Sequence, residues 1–336
     1  MPMLTIEQIA VHHLPREAFA GVQANERNTG YAHMIAPGAK FVLPRGRGRI
    51  DADEAARLAR TCKVALPIAP AGQSLSDLAS AAVGELEHCV DCQVLRETTH
   101  IVVAQSTLNE RIVESVAGRV QCELGLKVVL PLALGQCGTL GLYAAMPLAD
   151  GLLAGGGQIL FVAADKWLYP FFRTYGDLVS YGDAAGALLM RRDHARGGTC
   201  VLGSALVYGD AIDAPWDLDP RELERKLVAL AVEVSADALQ QADLRVSQLD
   251  CFAPAGFGAR FRAAIADELG IDAQRVFARD DGVHLSSADT LSTLHRIQTM
   301  LAPGESRVTL LCDAAIAGMA GALVVELKGR APVPLH

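Results

Sequence analysis

Short apolar runs bounded by turn residues recur along the chain. "HIVVAQS" (100–106), "KVVLPLAL" (127–134) and "QILFVAAD" (158–165) hold apolar side chains on successive positions, as strands buried on both faces of a parallel sheet do. Between the last two, residues 138–153 are small and apolar on every side, which predicts a central buried helix. Gly155-Gly156-Gly157 follows that helix and precedes a strand. A dinucleotide-binding turn needs the reverse order, so the run reads as a helix stop. Gln136, Pro147, Asp150 and these glycines interrupt the apolar tract 128–164, which argues against a membrane span.

The second half repeats the order: "QLDCFAPAG" (248–256), "QRVFARD" (274–280), a helix over 286–301 and "RVTLLCDAA" (307–315). Both halves close on similar strands, "DAAGALLMRR" (183–192) and "GMAGALVVEL" (318–327). The repetition predicts a duplicated α/β layer architecture, with 1–198 as the first half and 199–336 as the second. His284 follows Cys137 by 147 residues, and the strands before and after the two central helices keep offsets of 148 (Val128 to Val276) and 149 (Ile159 to Val308). The closing strands are offset by only 135, so the first half carries an insertion. With the central helices packed about a pseudo-two-fold axis, Cys137 and His284 approach one another from opposite halves. An aromatic-rich connection, 168–182, is placed to wall a pocket or an interface, and a surface helix is expected after the acidic loop 212–222, ending near Gln241.

Composition narrows the function classes. With 336 residues, 51% hydrophobic and 20% charged, the chain has ample material for a large core. A net charge of −8 speaks against nucleic-acid or anionic-membrane binding, which calls for a basic face. The amino-terminal residues lack the pattern of a secretory signal, and eight cysteines scattered over the length suit free thiols in a reducing compartment. A cytoplasmic location is therefore expected.

Candidate chemistry centres on "LALGQCGTLGL" (132–142). Cys137 sits between glycines at a strand-to-helix turn, where free N–H groups and the helix dipole would favour a thiolate. His284, in "DDGVHLSSAD", heads the second central helix and supplies the base such a nucleophile needs. Asp289, Asp280, Asp281 and Asp250 are the acids that could orient it. The CxxC of Cys89 and Cys92 has no second pair at zinc-binding spacing. His12 and His13 read as surface residues, and His295 lies too far along its helix to share the chemistry of His284. No metal and no resident cofactor are implied.

In order along most of its length the chain resembles the thiolase superfamily, and within it the β-ketoacyl-acyl-carrier-protein synthase III branch. The resemblance runs through "THIVVAQST", "VAGRVQCELGL", "GQCGTLGLYAAMPLADGLLAGG", "QILFVAADK", "YGDAAGALLM" and "AGALVV". It implies a duplicated αβαβα five-layer sandwich, a homodimer, and Cys137 as the residue acylated from coenzyme A or an acyl carrier protein. Arg260, with Arg262, matches the basic position that docks the acidic carrier in that family. The family's Trp and Arg that hold the adenine of coenzyme A find no match in "VQANERNTGYAH", which favours a carrier protein as donor.

Departures from the family pattern sharpen the expectation. Its catalytic "PH" turn reads Pro254-Ala255 here, its Asn is replaced by His284, and its C-terminal glycine-rich turn reads "DAAIAG". One Cys and one His retain what acyl transfer to a hydroxyl or amine requires. Decarboxylative condensation loses a donor, typically worth about 10²–10³ in rate. The expectation is a non-decarboxylating, synthase III-like acyltransferase that passes its acyl group to a hydroxyl, amine or carbon acceptor of a small molecule. The alternatives are a decarboxylative β-ketoacyl synthase in which His284 serves both roles, and a non-catalytic subunit of a heteromeric synthase.

Overall fold

The computed structural model describes residues 3–18 and 64–329, apart from 112, 136, 168–172, 176, 194–197, 211, 213–214, 216–217 and 280–281. Its strands are β1 (Met3–His12), β2 (Arg16–Ala18), β3 (Ala65–Pro67), β4 (Thr98–Ala104), β5 (Leu130–Leu134), β6 (Gln158–Asp165), β7 (Thr174–Tyr175), β8 (Val179–Tyr181), β9 (Ala184–Asp193), β10 (Thr199–Tyr208), β11 (Cys251–Pro254), β12 (Val283–His284), β13 (Ser306–Ala315) and β14 (Met319–Lys328). The helices, numbered here in chain order, are α1 (Leu75–Glu87), α2 (Cys92–Arg96), α3 (Val116–Glu123), α4 (Gly141–Leu152), α5 (Pro220–Gln241), α6 (Ala259–Leu269) and α7 (Asp289–Met300).

The duplication is visible in strand order. From β1 outward the first half runs β1-β9-β6-β4-β5, and from β10 outward the second runs β10-β14-β13-β11. A single parallel bridge from Phe252 to Val276 stands where β5 stands in the first half. Each half has two antiparallel pairings and then parallel ones. The half-sheets meet where Thr5 and Ile6 of β1 pair with Cys200 and Thr199 of β10, making one nine-stranded sheet.

Alternation along the central strands builds five layers. Ile101, Val103, Leu160 and Val162 face outward under α1 and α3, while Val102, Ala104, Ile159, Phe161 and Ala163 face the middle. The middle layer holds α4 and α7, with Leu142, Met146, Leu291 and Leu294 packed between the half-sheets. On the far side Leu310, Ala322 and Val324 meet Leu223, Leu227, Val234, Phe261 and Ile265 of α5 and α6. Each fully buried Leu, Val or Phe contributes about 1.5–3 kcal/mol relative to exposure, so these three interfaces dominate the fold. The expected αβαβα sandwich is the one formed.

Helix ends follow local chemistry. Ser74 caps α1, accepting from the Asp77 N–H in a reciprocal capping box, and Asp219 caps α5 ahead of Pro220. Helix α4 stops at its C-cap Leu153, and Gly156 and Gly157 take positive φ in the connection that follows to β6. Two elements differ from expectation. The central helix begins at Gly141, because Gly138 adopts φ +53° and spends residues 137–140 on a turn. Among the described residues, 274–279 form no extended strand: a 3-10 turn over Ala273–Arg275 is followed by the bridge at Val276 and the Phe277 N–H bonded to Phe252 O. Among the described residues no helix is long and apolar enough to cross a membrane.

Candidate active site

The Cys137 turn is packed by glycine. Leu140 N–H donates to Cys137 O at 3.1 Å, closing the turn, and the Cys137 thiol reaches Gly135 O at 3.4 Å. A Cβ on Gly138 would stand 2.6 Å from Ala315 Cβ at the end of β13, and one on Gly141 would stand 2.3 Å from Ala104 Cβ and 3.9 Å from Ser287 Cβ. Only glycine admits these approaches. They bring the Cys137 turn from the first half against two segments of the second, the end of β13 and the residues after His284.

His284 lies on β12, a two-residue strand paired parallel to β8, with Tyr181 opposite it. The aromatic-rich connection thus holds the histidine's backbone. Its ring lies 5.3 Å, centroid to centroid, from both Tyr181 and Phe257, and Tyr181 stacks in turn on Trp167. Trp167 Nε1–H donates to Ser286 Oγ at 2.7 Å. Gly256 presses on the same strand, where a Cβ would meet Val283 O at 1.9 Å. That contact sets Gly256, the residue after Ala255, against the backbone of Val283 and His284.

The partner of His284 is Asp313, near the end of β13. Nε2 and Asp313 Oδ1 are 2.9 Å apart, and both side chains are fully buried. An ionised carboxylate can only accept, so Nε2 carries the hydrogen and the neutral ring keeps its basic lone pair on Nδ1. Among the described residues no hydrogen bond occupies Nδ1, and Asp289 Oδ1 stands 3.9 Å from it. Burial works against the imidazolium, but the charges of Asp313 and Asp289 outweigh it and raise the His284 pKa. Asp313 bears the contact that sequence reasoning assigned elsewhere. Its signal was an acid inside the apolar run "RVTLLCDAA", since a buried carboxylate requires a partner.

The other orienting candidates fall elsewhere. Asp289, also fully buried, takes a bidentate contact from Arg279 at 2.7 and 2.8 Å and accepts from Leu285 N–H at 2.8 Å. It fixes the loop that carries His284 without hydrogen-bonding the ring. Burial opposes its ionisation, but Arg279 and then His284 more than compensate and lower its pKa. Asp250 is not an orienter: it is exposed and accepts from Val308 N–H at the start of β13, away from the Asp313 end. Asp280 and Asp281 lie outside the described residues, as do Phe171, Phe172 and the segment 22–33.

Two further expectations are corrected. Burial raises the Cys137 thiol pKa, where a helix start was expected to lower it, because α4 begins four residues later. Burial thus favours the thiol over the thiolate at Cys137. Arg260 and Arg262 do not form a basic surface pair. Arg262 is only 7% exposed, and Arg260 is held by Glu224, with Asp177 3.3 Å from its other end.

Asp165, at the end of β6, ties these loops together. Buried, it accepts from Ser106 N–H and Oγ, Thr107 N–H and Oγ1, and Ser287 N–H at 2.6–3.0 Å. Five donors satisfy the carboxylate without a cation and lock the loop after β4 to the turn after His284.

No family model matches the sequence. Solved structures match over nearly the whole chain. An acyltransferase named ChlB3 is 18% identical with a TM-score of 0.72, covering 100% of both chains. The β-ketoacyl-acyl-carrier-protein synthase III of Thermus thermophilus is 20% identical at a TM-score of 0.71, over 97% of this chain and 100% of that one. The 3-oxoacyl-acyl-carrier-protein synthase III of Pseudomonas aeruginosa PAO1 is 19% identical at 0.69, over 99% and 100%. The chain thus has the thiolase-type fold of the synthase III structures.

Proposed function

We propose that the chain is an acyltransferase that carries an acyl group on Cys137 and passes it to a hydroxyl or amine, with His284 as base and Asp313 behind it. The observation that carries this reading is the buried His284–Asp313 pair, whose Nδ1 has no hydrogen bond among the described residues, on segments that flank the Cys137 turn. A thiol with a raised pKa and a histidine with a raised pKa suit proton transfer from one to the other, with the carboxylates stabilising the imidazolium that results.

In the first half-reaction His284 takes the thiol proton, and Cys137 Sγ attacks the thioester carbonyl. The donor thiol leaves with that proton, and an acyl-Cys137 remains. In the second, His284 takes the proton of the acceptor O–H or N–H, which attacks the acyl-Cys137 carbonyl. The Cys137 sulfur leaves and recovers the proton, and the ester or amide is released. Ala255 leaves no second imidazole for the carbanion of a decarboxylative condensation, which favours transfer over that alternative. An acyl carrier protein or coenzyme A thioester is the donor class, and the chain acts as a homodimer. The β5 edge supports that assembly, since the outermost strand of the sheet leaves Leu130 exposed beside Val128.

Intact-protein mass after incubation with carrier-protein and coenzyme A thioesters tests the reading, beside Cys137→Ala. An acyl adduct absent from the variant is expected. A flat result across both donor classes would sink it in favour of a non-catalytic subunit.

A further inference from the structure

A groove of about 740 Å³ runs between α5 and α6 on the outer face of the second half. Its floor is apolar, from Val228, Ala229, Val232 and Ala264, and its ends are charged. Both helices cover the same half-sheet, and the contact between Arg260 and Glu224 puts their first turns side by side.

The charges are arranged symmetrically about the apolar middle. On α5, Arg225 and Glu233 each lie four residues from Ala229. On α6, Arg260 and Glu268 each lie four residues from Ala264. At 1.5 Å rise per residue both Arg-to-Glu spans are about 12 Å, so one end of the groove carries Arg221, Arg225 and the bonded Arg260–Glu224 pair, the centre is small and apolar, and the other end carries Glu233 and Glu268. Residues Arg225, Ala229, Glu233 and Glu268 are exposed, and among the described residues Arg225, Glu233 and Glu268 make no ion pair within 4 Å inside the chain.

We infer that this groove is a contact between two copies of the chain, with α5 of one copy lying antiparallel in the groove of the other about a two-fold axis near Ala229. A two-fold interface must be self-complementary. Here the rotation sets Arg225 of one copy against Glu233 and Glu268 of the other, and the reverse, while the alanines allow close helix approach. An acidic partner would meet the unpaired Glu233 and Glu268 and be repelled. The contact does not depend on acyl transfer, and it lies on a different half from β5, so both can be occupied at once.

The test uses the full chain. Native mass is measured for wild type, Arg225→Glu, Glu233→Arg and the double variant, and Ala229→Cys is oxidised beside wild type, whose exposed Cys92 and Cys122 set the background. Either single reversal is expected to halve the native mass, the double variant to restore it, and Ala229→Cys to give a reducible covalent dimer beyond background. Native mass indifferent to both reversals, with no added cross-link, overturns the inference. So does a carrier protein whose binding falls with Arg225→Glu while the native mass stays unchanged.

Discussion

His284 Nε2 and Asp313 Oδ1, 29 residues apart in sequence, are 2.9 Å apart with neither side chain exposed. The carboxylate fixes which ring nitrogen holds the hydrogen and stabilises the charge the ring acquires. Asp313→Asn keeps the shape and removes the charge, so acyl transfer is expected to fall by about 10²–10⁴. The ring must be neutral at Nδ1 to act. Wild-type activity therefore rises with pH through a value above 6.5, and that limb moves to lower pH in the variant. A rate profile over pH checks both. An unchanged limb would remove Asp313 from the mechanism.

The same pair sets the alkaline side of stability. A histidine pKa raised on folding contributes stability that is full below pH 6.5 and is lost as pH rises through the folded-state value. Urea midpoints for wild type should decline across that range, and the decline should flatten in His284→Asn.

Arg279 and Asp289 govern the acid side. The lowered Asp289 pKa contributes stability present above about pH 3.8 and lost as pH falls through the lower folded-state value. Arg279→Met leaves a buried carboxylate without its cation, at an expected cost of about 3–5 kcal/mol. Acid unfolding of the variant should then begin at higher pH. Equilibrium denaturation at pH 7 and pH 4 measures both effects.

Gly138 tests the packing of the nucleophile turn. Its φ of +53° and the 2.6 Å approach of Ala315 Cβ are separate obstacles to a side chain. Gly138→Ala is expected to destabilise by about 1–3 kcal/mol and to abolish acylation. Ala315→Gly in the same chain should recover the steric part only, leaving the backbone strain, as a comparison of melting temperatures would reveal.

Malonyl thioesters separate transfer from condensation. With Ala255 in place of the second imidazole, carbon dioxide release is expected to stay at background while acyl-Cys137 forms from simple thioesters. Release that depends on Cys137 would establish the condensing alternative instead.

Run lengths and periodicity were enough to place β4, β6, β9, β13 and β14 within two residues and to register one half on the other, because a strand buried on both faces can hold little but apolar side chains. The segments it set against one another do touch, since Gly141 after the Cys137 turn lies against Ser287 after His284. Partner choice was not legible in this way. Asp313 reaches His284, and Asp250 does not, because adjacency across β13 and β12 depends on how strands stack in three dimensions. Arg262 reads as a surface cation until α6 turns it inward, and Cys137 reads as a helix-head thiolate until Gly138 delays the helix. Sequence alone determined the layers and the duplication, since these follow from local pattern. Tertiary structure alone decided burial, hydrogen-bond partners and pKa directions, since each depends on groups brought close from distant parts of the chain.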